Sequence, residues 1–201
     1  YYNLYDYGEA LNYYLDAYTF ALKHLGYIQE VATLNNIAIL YGDEKQYEKS
    51  KEYLLKAYTI VKKENDSLRI GHYAINLGIL SARAGNYTEA KDLLYEALGY
   101  ISDSEKVLNL KAWSVLSEVY VYLNKYEESK KIIDRIYDDV QQLPEKDIYV
   151  AVLLQLSEYY YHQKDFDKAI LVCQKAMAHN DWIKDKIRIY EQLFKINNQK
   201  K

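Results

Sequence analysis

Residues able to do chemistry are few in this chain, and their spacing does not favour catalysis. His72, His162 and His179 with Cys173 form no C-x-x-C, H-E-x-x-H or H-x-x-x-H pair, the spacings that bring two ligands to one metal from a turn or a helix face. No metal site is expected. The adjacent acids Glu127 and Glu128, and Asp138 and Asp139, lie in lysine-rich stretches where i,i+4 pairing on a solvated helix explains them. No G-x-S-x-G, P-loop or dinucleotide fingerprint occurs, so no nucleophile or phosphate chemistry is supported and no cofactor or enzymatic activity is expected. The triplets Asn65-Asp66-Ser67 and Asn86-Tyr87-Thr88 have the glycosylation pattern at predicted turns, but nothing else suggests a eukaryotic secreted setting. What remains for function is a surface.

The elements that must carry that surface follow from composition. At 201 residues, 50% hydrophobic and 27% charged, the chain can bury a sizeable core and lacks the signature of disorder. A net charge of -3 supplies no basic field for nucleic acid or anionic lipid, so direct nucleic-acid binding by this segment is disfavoured. One cysteine closes no internal disulfide, and a cytoplasmic setting is the expectation, with a periplasmic or membrane-anchored form left open should an N-terminal segment be missing. No run approaches the roughly 18 to 20 apolar residues of a membrane span.

Seven glycines and a single proline, Pro144, are too few for the turns of a sandwich or barrel. Long helices are the default. In "LNNIAILY", Leu34, Ile37, Ala38 and Tyr41 fall on one helical face, and "AINLGILS", "WSVLSEVY" and "LLQLSEYY" repeat the pattern. After each such helix come a polar turn, an aromatic residue and, three later, a small one: Tyr7 and Ala10, Tyr47 and Ser50, Tyr87 and Ala90, Tyr126 and Ser129, Phe166 and Ala169. The small positions are 40, 40, 39 and 40 residues apart. Two helices per unit at that period predict an all-α, right-handed superhelical solenoid of antiparallel helical hairpins, because one hairpin cannot bury its own apolar face. The expected organisation is a single solenoid: a half-repeat over 1–27, repeats over about 28–66, 67–103, 104–142 and 143–180, and a C-terminal helix over 181–201. Counting back one period from Tyr41 makes 1–27 a second helix with a stub before it, so the natural protein is expected to begin earlier. In the last helix the apolar residues are Trp182, Ile183, Ile187, Tyr190, Leu193 and Phe194, which either cap the array or open another unit.

Position 78 is a glycine inside an apolar helix, and Ala38, Ser117 and Ser157 are its equivalents. Small residues at every copy predict a close crossing of the two helices in each unit, worth the roughly 1 kcal/mol of helix propensity that Gly78 gives up.

These residues resemble the tetratricopeptide repeat, whose first helix reads W-x2-L-G-x2-Y and whose second reads A-x3-F. The matching positions are Leu34, Ile37, Ala38 and Tyr41; Ala74, Leu77, Gly78 and Ser81; Trp113, Leu116, Ser117 and Tyr120; and Leu153, Leu156, Ser157 and Tyr160. The period exceeds the family's 34 and the unit-ending proline is absent, which predicts longer helices. In this the chain is similar to the longer repeats of kinesin light chains and of bacterial peptide-sensing regulators. "ATLNNIAILYGDEKQYEKSKEYLLKAY" looks most like the kinesin-light-chain unit. The resemblance implies a non-catalytic module that binds a protein or peptide in its concave groove, as a scaffold or adaptor, or else a sensor segment of a larger bacterial regulator.

If the family positions pack inward, the opposite stripe of each first helix lines that groove. The expected ligand contacts are Asn35, Asn36 and Ile39; His72, Asn76, Ile79 and Arg83; Lys111, Ser114, Glu118 and Tyr122; and Gln155, Glu158, Tyr161 and His162, with Ile75 and Leu154 adding apolar area. Asn36, Asn76 and Gln155 recur in register, and an amide offers both a donor and an acceptor to an extended peptide backbone. In the peptide-sensing regulators that the chain resembles, such an asparagine holds ligand backbone; the alternative here is an amide bonded to a neighbouring helix. Exposed repeat ends leave room for a homo-oligomer.

Overall fold

A computed structural model describes residues 7–144, 146–179 and 183–199. Ten helices and no strand occur among them: α1 Tyr7–His24, α2 Tyr27–Asp43, α3 Tyr47–Lys63, α4 Ser67–Arg83, α5 Tyr87–Tyr100, α6 Lys106–Tyr122, α7 Tyr126–Gln142, α8 Asp147–His162, α9 Phe166–Ala178 and α10 Ile183–Gln199. They group into two compact units, Tyr1–Ser102 and Asp103–Lys201.

In the first unit α2 pairs with α3 and α4 with α5, while α1 lies on α2 and α3 on α4. The apolar face of α2 (Leu34, Ile37, Ala38) and that of α4 (Ala74, Leu77, Gly78) are buried, as the spacing predicts. Both hairpins cross at the small positions. Ser50 Oγ donates to the Ala38 carbonyl at 2.6 Å, and a Cβ added at Gly78 would stand 3.0 Å from Leu94 Cγ. A second close approach escapes the repeat pattern: a Cβ on Gly71 would meet Ile101 Cγ1 at 2.7 Å, because the chain leaving α5 folds back against α4.

In the second unit α6 pairs with α7 and α8 with α9, α6 and α7 both touch α8, and α10 packs on α8 and α9. The crossings use hydroxyls. Ser117 Oγ lies 2.8 Å from Ser129 Oγ, and Ser157 Oγ donates to the Ala169 carbonyl at 3.0 Å, so each small polar residue is satisfied where it is buried.

The last helix departs from its expected apolar set. Ile189 and Ile196 are fully buried, whereas Ile187, Tyr190 and Phe194 are exposed and Trp182 lies outside the described residues. Its neighbours α8 and α9 meet one face only, and residues seven apart fall on that face.

The turns repeat as faithfully as the helices. Lys45, Asn65, Gly85, Asn124 and Lys164 each have φ between 53° and 83°, one residue past the helix cap. At each, the following amide reaches back to close the helix, as from Gln46 to Tyr41 (2.8 Å) and from Asp165 to Tyr160 (3.0 Å), the pattern of a Schellman cap. A lysine in this region bears a Cβ strain that glycine does not. Lys45→Gly and Lys164→Gly should therefore each raise the urea midpoint, by about 0.5 to 1 kcal/mol net of the glycine entropy cost. A lowered midpoint would show that the side chain contributes more than its strain.

Candidate functional site

The stripe opposite the packed face divides differently in the two units. In the first, α2 and α4 present Asn35, Asn36, Ile39, His72, Asn76, Ile79 and Arg83, of which Ile39, His72 and Arg83 are exposed and the others half-buried. Asn76 Nδ2 donates to Asn35 Oδ1 at 2.8 Å, and Arg83 reaches Asp43 at 3.4 Å. Ile75, expected to offer apolar contact to a ligand, is fully buried. Asn36 keeps its amide free of side-chain partners among the described residues.

In the second unit, Gln155 occupies the position equivalent to Asn76 and behaves alike. Its Nε2 donates to the Ser114 carbonyl at 3.2 Å, again 41 residues back, on the preceding first helix. Ser114 and Gln155 are each only 4% exposed, so the expected row of solvent-facing amides is partly a helix-to-helix tie. Only Nε2 of the amide is satisfied. Gln155 Oε1 is closed to solvent and has no hydrogen-bond partner, a costly state for a buried acceptor.

That glutamine lines a pocket of about 530 Å³, within the size range of ligand sites. Glu118 and Tyr122 come from α6, Leu154, Gln155, Glu158 and His162 from α8, and Arg188, Glu191, Gln192 and Lys195 from α10; Asn124 and Tyr126 close one end. Helix α10 ties into it through two ion pairs, Arg188 to Glu118 at 2.9 Å and Lys195 to Glu158. His162 Nε2 lies 3.0 Å from Glu158 and its ring stacks on Tyr126, centroids 3.8 Å apart. Burial is the largest single influence on Glu158 and opposes its ionisation, but the Lys195 ammonium, Gln192 and His162 together outweigh it and hold the carboxyl below the usual glutamate range.

Three expected contacts lie off this pocket. Tyr161 carries Lys195 Nζ over its ring at 4.3 Å. Ser114 serves through its backbone. Lys111 is half-buried on α6, where burial draws its ammonium below the usual lysine range and Asp147 partly offsets this. Arg188, Glu191, Gln192 and Lys195 of α10 lie outside the expected stripe, although one further period from Ala151 and Gln155 falls on Glu191 and Lys195. Cys173 is buried beside Ser157 Oγ at 3.1 Å, and burial pushes its thiol up, away from reactivity. Among the described residues no group of three His, Cys, Asp or Glu side chains is placed to hold a metal, and no helix is long and apolar enough to cross a membrane.

The sequence model of the tetratricopeptide repeat matches residues 29–100, from α2 through α5. Residues 29–100 carry tetratricopeptide repeats. The chain's helical hairpins are also those of solved repeat proteins: an array of nearly identical kinesin-light-chain repeats from Podosopora anserina superposes with a TM-score of 0.66 at 16% identity, over 86% of this chain and 85% of that one. NprR in complex with its cognate peptide NprX gives 0.76 at 16% identity, over 95% of this chain and 56% of that one. At such identities the likeness is one of fold. Pre-mRNA-splicing factor SYF1 of Rattus norvegicus is 30% identical over 158 residues, 72% of this chain, and the aligned part spans only 18% of that protein's length.

Proposed function

We propose that these tetratricopeptide repeats form a non-catalytic binding module that holds a peptide or an extended protein segment against the exposed faces of the first helices. The observation that carries this reading is the open pocket of the second unit, where side chains of α6, α8 and α10 converge around a buried acceptor with no partner of its own. A bound backbone N–H is the group such an acceptor lacks. The same family of fold holds a cognate peptide in NprR, which favours a peptide over a folded surface and supports the narrower reading of a sensor segment in a larger regulator.

A random peptide library selected on the immobilised chain tests the module directly. Enriched peptides are expected to lose about tenfold or more in affinity when Tyr122 and Glu158 of the second unit's pocket are replaced by alanine in separate variants, and to be unaffected by Lys63→Ala or Lys131→Ala on exposed second-helix positions. Equal loss at all four positions, or no enrichment over an unrelated helical protein, would refute the assignment.

A further inference from the structure

Two residues that line the second unit's pocket each carry a buried polar atom with no hydrogen-bond partner among the described residues, and the two atoms are of opposite kind. Gln155, only 4% exposed, gives its Nε2 to the Ser114 carbonyl and leaves Oε1 closed to solvent without a donor. Gln192 Nε2 is likewise closed to solvent. It stands near the Glu158 carboxylate and helps to hold it ionised, yet it makes no hydrogen bond. Glu158 also brings the two amides together, since it follows Gln155 by three residues on one face of α8, within about a helical turn. The unfilled capacity is therefore for one donor and one acceptor, side by side on the packed helices α8 and α10. The charges around them are engaged: Arg188 meets Glu118 at 2.9 Å, Lys195 meets Glu158, and Glu191 is exposed, where water screens it. An ionic ligand would have to break one of these pairs, and a purely apolar one would leave both amide atoms unmet.

We infer that this pocket is a subsite for a neutral carboxamide side chain, so that the segment bound by the second unit presents a glutamine or asparagine there. This rests on the peptide-binding reading above. A primary carboxamide carries a carbonyl oxygen and an N–H on one edge, the acceptor that Gln192 Nε2 lacks and the donor that Gln155 Oε1 lacks. A carboxylate of the same shape has no donor and would stand beside the ionised Glu158. A thioether of the same length has no N–H and is a weak acceptor. Val121 and Leu154 of the same lining give an apolar wall to the methylenes that carry a glutamine's amide, a wall that a bare backbone would leave uncovered. Gln155 and Gln192 are thus the residues that set specificity, and neither is a member of the pocket's two Arg and Lys ion pairs.

Glycine pentapeptides with a central glutamine, glutamate, methionine or glycine, acetylated and closed as the methylamide so that no other primary carboxamide is present, separate this inference from the broader one. Isotope-labelled full chain is titrated with each, following the side-chain amides of Gln155 and Gln192 and the backbone amides of α8 and α10 by NMR. The glutamine peptide should bind about tenfold more tightly than the methionine or glutamate peptide and should shift the Gln192 side-chain amide protons. Because no charge is exchanged, its advantage over methionine should be the same at about 50 mM and about 0.5 M salt. That advantage should shrink to about threefold or less in Gln155→Met and in Gln192→Met, with the affinity of the methionine peptide unchanged. Gln155→Met also gives up the bond to Ser114, so Gln192→Met, at a half-buried position of α10, makes the comparison alone if the other variant does not fold. Equal affinity for glutamine and methionine peptides in wild type, or a glutamine preference that survives the variants, would overturn the carboxamide subsite and leave the peptide reading standing. A glycine peptide that binds as tightly as the glutamine peptide would assign the two amide atoms to ligand backbone and overturn the subsite in the same way. Absence of shifts with all four peptides would overturn both.

Discussion

Gly78→Leu should lower the stability of the protein by about 3 kcal/mol, a fall of roughly 6 to 12 °C in the thermal midpoint, although leucine is the better helix former. The helix-propensity gain is close to 1 kcal/mol. Against it stands the crossing of α4 and α5, where even a Cβ would lie 3.0 and 3.2 Å from two carbons of Leu94 and 3.4 Å from the Ala90 carbonyl oxygen. A methyl group there requires Leu94 to give by a few tenths of an ångström. An isobutyl group must push the two helices apart, and Leu94, Ala90 and Ala97, now fully buried, would lose their contacts. Gly78→Ala grades the effect, and Leu94→Ala, costly by itself through its cavity, should relieve much of the alanine's strain when the two are combined. A melt of Gly78→Leu at or above the wild-type midpoint would mean that the helices do not cross closely at this residue.

In the second unit the largest loss is expected from Tyr149→Ala, about 3 to 5 kcal/mol. Its ring is fully buried, with edge-on contacts to Tyr137 at 5.8 Å and His179 at 5.4 Å. Lys175 Nζ lies 5.6 Å above the ring and donates to Tyr137 Oη at 2.8 Å, so the alanine would empty the centre of a cluster built from α7, α8 and the end of α9. Burial, with the Tyr137 hydroxyl beside it, raises the phenol of Tyr149 above the usual tyrosine range against the opposing pull of the Lys175 ammonium. Tyr149→Phe removes a long hydroxyl contact of 3.4 Å to Tyr137 and the hydroxyl's interaction with the Lys175 ammonium, and should cost about 1 kcal/mol. Urea unfolding of the two variants distinguishes the ring from the hydroxyl. Equal losses would assign the stability to the hydroxyl and contradict the packing account.

How far the sequence foretells the candidate site depends on the residue. Glu118, Tyr122, Glu158 and His162 lie on the stripe left over when the family positions turn inward, and the structure gathers them with Gln155 into one pocket. The same stripe includes Ile75 and Ser114, which are buried. A first helix inside a unit packs on more than one side, α4 against α3 and α5, and α8 against α6, α7 and α9, so its exposed arc is narrower than the half-circle that a single apolar stripe implies. Side chains at the edge of that arc, such as Asn76 and Gln155, point across the gap and bond to the helix 41 residues earlier.

From the sequence by itself come the all-α class, the hairpin unit of about 40 residues, its turns and its close crossings, because each rests on local spacing repeated four or five times: a 3.6-residue period, a small residue at one register, a turn after every helix. Tertiary structure alone decides which amides hold a neighbour and which stay open, which face of α10 is covered, and that two of its cations meet carboxylates on α6 and α8. Those outcomes turn on the rotation of one helix against another. Each residue step is about 100° around a helix axis, so a shift of a single position carries a side chain from solvent to core, and no count along the chain is sensitive to the angle at which the neighbouring helix arrives.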